Sequence, residues 1–181
     1  MKFFKYNRAA AAIVLAAVIL LAIPLGVNRS VASLARRVER IYESGSDRYG
    51  TVKTDLEKAS GYAGHVYAIY AAARGTDAAY ERAAASFDES LASPFDAASR
   101  FNDLYRAASE LYYTLSLDES LPEAQRNSVT AYFYELTSTQ MRLAANEEYA
   151  AAAARYNHAI DAFPASVLTF GSRAAAVTFG A

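Results

Sequence analysis

Between Ser120 and Phe163 the chain has no glycine, and its one proline, Pro122, lies at the very start. Ser120-Leu121-Pro122-Glu123 reads as a helix start: Ser120 can cap free amides, Glu123 can reach back, and Pro122 fits the first turn. The next breaker is Pro164. The stretch therefore predicts one helix of roughly 40 residues, on the order of 60 Å long. Val129, Tyr132, Leu136, Thr139, Leu143, Asn146, Ala150, Ala153, Asn157 and Ile160 recur at steps of three and four. Such spacing makes a single stripe that must face other helices.

The other long constraint lies at the start. Ala9 to Val27 carries no charge, after a short segment with Lys2, Lys5 and Arg8. Nineteen uncharged residues suffice to cross a hydrocarbon layer of about 30 Å. Phe3, Phe4 and Tyr6 would then lie at head-group level. The rival is a cleaved signal peptide, but the run is longer than a usual signal core. The small-x-small cleavage pattern is also missing around Pro24–Ser30. Orientation is close to a tie, because Arg29, Arg36, Arg37 and Arg40 follow the run as Lys2, Lys5 and Arg8 precede it.

Beyond Asn28 the helical pattern continues through Val31, Leu34, Val38 and Ile41, and Glu43 to Gly50 reads as a bend. A helix over 51–74 carries Val52, Leu56, Ala59, Ala63, Val66, Tyr70 and Ala73 on one face, with Gly61 and Gly64 suggesting close approach of a neighbour. Gly75 ends it, Thr76 can cap the next, and a short helix or helical loop follows over 77–91. Ser93-Pro94-Phe95-Asp96 starts another helix. Its Phe101, Leu104, Tyr105, Ala108, Leu111, Tyr112 and Leu115 follow the amphipathic pattern without a miss. The fold expected is all-α. An N-terminal transmembrane helix leads an elongated antiparallel bundle of three to four helices: anchor 1–28, bundle 29–164, apolar tail 165–181. The tail reads either as folding back on the bundle or fraying, or as touching membrane or a second subunit.

Chemistry is harder to find. The chain has no cysteine, which removes disulfides, thiolate catalysis and cysteine metal sites. Its net charge is −1, and setting aside Lys2, Lys5 and Arg8 leaves −4 for the rest. A mildly acidic body argues against a nucleic-acid groove, which would need a basic stripe. His65 and His158 fall in different helices, and no metal-ligand spacing, phosphate loop or nucleophile elbow is present. No catalytic residue, cofactor or metal site is therefore assigned, and the chain does not read as an enzyme. Tyr70, Tyr105, Tyr112 and Tyr132 lie on core stripes, as packing residues or as the lining of a ligand pocket.

Leu136-Thr-Ser-Thr-Gln140-Met-Arg142-Leu143, Tyr149, Arg155-Tyr156-Asn157-His-Ala-Ile160-Asp-Ala-Phe163-Pro164 and the later Phe170-Gly171 together resemble the LemA family of bacterial membrane proteins. One leading apolar helix running into Asn28-Arg-Ser-Val-Ala-Ser-Leu34 fits the same plan. Where members carry an Arg-Arg, Leu-Ile-Pro-Asn-Leu segment, this chain has Tyr42 to Gly50 and Asp55-Leu56 instead. The resemblance implies a tethered helical bundle in a bacterial cell membrane, with no catalytic residues. The interaction or register candidates are Arg142, Asn146, Tyr156, Asn157, Phe163, Pro164 and Phe170. The expected partners are the bilayer, through residues 9–27, and either a second copy or another membrane protein. A small-molecule-sensing bundle is the alternative.

Overall fold

A computed structural model describes residues 8–162 together with Ala176 and Phe179, apart from the side chains at 8–13 and 15–24. The described residues form six helices and no strand: α1 Arg8–Ser44, α2 Val52–Arg74, α3 Ala78–Ser90, α4 Ala97–Ser116, α5 Glu123–Ala144 and α6 Glu147–Asp161. The fold class is all-α, as the periodicity requires. Of the expected anchor, most side chains lie outside the described residues. Among those described, no helix is long and apolar enough to cross a membrane.

α1 stops at Gly45, whose φ of 73° closes the turn while its amide donates to the Ile41 carbonyl at 3.0 Å. A Cβ at Gly45 would meet the Gly50 carbonyl carbon and the Tyr49 oxygen, each at 2.9 Å. The bend expected over 43–50 therefore exists because glycine alone fits there. α2 ends at Gly75, also with positive φ, 91°. The cap of α3 is Asp77, not Thr76. Its Oδ1 accepts the amides of Ala79 (3.0 Å) and Tyr80 (2.8 Å).

The largest departure concerns the 120–163 stretch. It is two helices, broken at Ala145-Asn146. Ser120 does not cap the first, because its hydroxyl donates to Asp118 at 2.6 Å. Asn146 is buried as the stripe implied, but it acts as a cap. Its Oδ1 accepts the Tyr149 amide at 3.0 Å and so starts α6. Glu147 and Glu148 follow in the first turn, and Arg142 closes the last turn of α5, all with the sign the helix dipoles favour. With this break, five described helices follow α1 where a bundle of three to four was expected.

α2, α4 and α5 share the centre, α3 packs on α4, and α1 packs along α6 and meets α2. α2 and α5 run antiparallel. Asp55 meets Arg142 near one end (3.1 Å), and His65 stacks on Tyr132 further along (centroids 4.6 Å). α4 and α5 are antiparallel too, with Tyr105 bonded to Thr137 (3.3 Å) and Tyr112 stacked on Phe133 (4.0 Å, 5°). The stripe foreseen on α4 is the buried one: Phe101, Leu104, Ala108, Leu111 and Leu115 are all in the core. Arg74 ties the end of α2 to Asp118 at 2.8 Å. The Ser120 hydroxyl, then Arg74 and the Ser120 amide, hold the Asp118 carboxyl down to about 2. No buried side-chain nitrogen or oxygen among the described residues lacks a partner.

Gly61 and Gly64 are not close-approach points, since a Cβ at either meets nothing within 4 Å. Gly64→Ala should therefore raise stability by about 0.5–1 kcal/mol, the usual helix-interior gain. Gly45→Ala should lower it by more than about 1 kcal/mol, since it adds left-handed strain to a backbone clash. Urea denaturation of the two variants checks both signs.

Candidate functional site

The seven interaction candidates separate into three groups. Phe163, Pro164 and Phe170 lie outside the described residues. Arg142 stands on α5, where Nη2 and Nε reach the Asp55 carboxylate at 3.1 and 3.3 Å and Nη2 also reaches Thr139 Oγ1 at 3.3 Å. Thr139 is buried and thereby partnered. Asp55 first, against the cost of desolvation, raises the Arg142 pKa above its ordinary value. The pair is a clasp between α2 and α5, half open to solvent on the arginine side.

Asn146 caps α6 and Tyr156 and Asn157 lie on it, and two tyrosines of this helix reach the corner between α3 and α4. Asn146 positions Tyr149, whose hydroxyl donates to the Pro94 carbonyl at 2.9 Å. Tyr156 packs on Phe95, centroids 5.1 Å apart. On α1, Tyr42 donates to the Leu91 carbonyl at 2.9 Å. Tyr42 and Tyr149 are each 1% exposed. Burial is the main force raising both phenol pKa values, so they remain donors well past the pH at which free tyrosine ionises. Neither residue was singled out from the sequence for this role. The available signal was Asn146-Glu147-Glu148-Tyr149, a cap with acids behind it.

Asn157 was expected to set register between helices. Instead it holds the chain's own C-terminal segment: Nδ2 donates to the Ala176 carbonyl at 2.7 Å, and the Ala176 amide donates to Oδ1 at 2.8 Å. The amide thus pairs both ways with one backbone unit, as a strand neighbour would. Phe179 then packs against Tyr149 (5.6 Å) and Phe101 (6.2 Å). At Ala176 and Phe179, the apolar tail is part of the core.

The surface offers two further features. The outer face of α5 carries Ala131, Tyr134, Ser138, Met141 and Ala145, at steps of three and four and without a charge. Tyr134 is 69% and Met141 67% exposed, whereas a solvent-facing helix surface is ordinarily charged. Beside it an open groove of about 490 Å³ is lined by Tyr62, Tyr132, Tyr134 and Glu135 among others. Among the described residues there is no cluster of side chains that could hold a metal ion. Comparison with protein-family models, with curated proteins and with solved structures finds no match.

Asn157→Leu should lower stability by about 1–3 kcal/mol, because it leaves both polar groups of Ala176 without their partner. It should leave the oligomeric state unchanged. Denaturation together with light scattering separates this from a role in pairing copies.

Proposed function

We propose that the chain is a membrane-tethered helical interaction module of the LemA type, with no enzymatic activity of its own. The observation that carries the reading is the uncharged outer face of α5, which leaves Tyr134 and Met141 largely exposed. A second support is the continuity of α1. One helix from Arg8 to Ser44 carries the uncharged 9–27 sequence directly into the segment that packs on α6. Residues 9–27 would lie in the bilayer of a bacterial cell, and α5 would meet another membrane protein or a second copy. The residues resembling the LemA family, from Leu136 to Pro164, include the distal half of α5 and all of α6.

The tyrosine groove favours a second reading, a bundle that senses a small molecule. Tyr134 and Glu135 would supply a ring face and a carboxylate, which suits a cationic ligand.

Because the chain has no cysteine, single thiols can be placed at will. Met141→Cys, treated with a bifunctional maleimide in native membranes, should give one discrete cross-linked species. Arg82→Cys on α3 should give none. Monomer alone from both variants would contradict the interaction module.

A further inference from the structure

The cations of this chain are unevenly placed. No acid precedes Glu39, while Lys2, Lys5, Arg8, Arg29, Arg36 and Arg37 all do. From residue 49 onward the balance reverses, with ten cations against sixteen acids. The four arginines that follow the uncharged run share one exposed side of α1. At 100° per residue, Arg29, Arg36 and Arg40 fall within about 40° of one another, and Arg37 lies beside them. Val31, Val38 and Tyr42 occupy the opposite, buried side.

Arg36, Arg37 and Arg40 line a cleft of about 730 Å³ with Ser33, Ser46, Asp47 and Glu148. Acids are within sequence reach: Glu39 and Glu43 stand three residues after Arg36 and Arg40. Yet among the described residues none of these arginines forms an ion pair, with those acids or with Asp47 or Glu148. Three guanidinium groups within two turns repel one another, and a phosphate oxyanion would relieve that repulsion. Each guanidinium fork matches the spacing of two phosphate oxygens. Ser33 and Ser46 add hydroxyl donors at the same cleft.

We infer that the cleft formed by Arg36, Arg37 and Arg40 at the α1–α6 junction binds a phosphate group. That phosphate comes either from an anionic lipid head group or from a soluble phosphorylated compound. The lipid source rests on the membrane anchor proposed above, while the soluble source does not. The basic segment is continuous with the uncharged run, and the acidic body would be repelled by an anionic surface, so the collar is the part that faces lipid phosphate.

The test uses the full chain in nanodiscs of phosphatidylcholine, alone or mixed with phosphatidylglycerol, and reads the thermal midpoint of the bundle. A separate arm adds pyrophosphate to the phosphatidylcholine discs at constant ionic strength. Binding should raise the midpoint by about 2–4 °C in at least one arm. A rise with phosphatidylglycerol alone identifies lipid, and a rise with pyrophosphate identifies a soluble source. The rise should shrink in high salt. It should vanish in the triple variant Arg36→Gln, Arg37→Gln, Arg40→Gln, and it should fall in part in Arg40→Gln alone. All three side chains are exposed, so the variants should match the parent's midpoint in phosphatidylcholine without pyrophosphate. No rise in either arm, or a rise that survives the triple substitution, would overturn the inference. A chain that detaches from phosphatidylcholine discs would contradict the anchor alone, and the pyrophosphate arm, run on the released chain, would still decide the cleft.

Discussion

Two phenol hydroxyls hold this molecule's parts in register. Tyr42 on α1 and Tyr149 on α6 are both buried, and they donate to the carbonyls of Leu91 and Pro94, at the turn between α3 and α4. That turn has carbonyls to spare because one helix has ended and the next has barely begun. Without the Tyr149 hydroxyl the buried Pro94 oxygen would lose its donor, at a cost of about 1–3 kcal/mol, and without Tyr42 the part-buried Leu91 oxygen would lose one too. The bonds tie the α1–α6 pair to the corner of the three-helix centre. Among the described residues α1 also packs against α2, across the Gly45–Thr51 bend.

The same corner explains why two helices break. Were 123–161 one straight helix, Tyr149 would follow the axis of α5. The Asn146 cap restarts the helix, and with it Tyr149 reaches Pro94. Gly45 ends α1 just after Tyr42, by a turn that only glycine fits. Each break lies within a few residues of the tyrosine it serves. The C-terminal segment completes the arrangement, as Asn157 grips Ala176 and Phe179 packs on the ring of Tyr149. The polar residues of the long stripe thus serve the chain's own folding. The surface features on which the two proposals rest are the outer face of α5 and the arginine cleft.

Much of this was legible in the sequence, and the failures have physical causes. α4 could be read residue by residue, because its apolar positions all answer one period and nothing else competes for them. The bends at Gly45 and Gly75 were legible because positive φ leaves a compositional mark. The break at Asn146 was hidden because alanines on both sides suit a helix in any case, and Asn146 fell on a stripe position. A cap and a buried register residue can carry the same letter. Ser120-Leu-Pro-Glu looked like a capping box, but the Ser120 hydroxyl donates its hydrogen bond to Asp118 instead. Asn157 was recognised as a residue needing partners, but the partner, nineteen residues away, leaves no periodic trace. The outer face of α5 was missed because reading a stripe for burial draws attention away from the face opposite it.

The claim that the tyrosine hydroxyls lock the α1–α6 pair to the α3–α4 corner can be measured by equilibrium urea denaturation of Tyr149→Phe. The substitution keeps the ring that packs on Phe179 and removes only the oxygen that reaches Pro94. The account predicts a loss of about 1–2 kcal/mol with an unchanged denaturant slope. A Phe variant as stable as the parent would show that the ring alone holds the corner and would contradict the account.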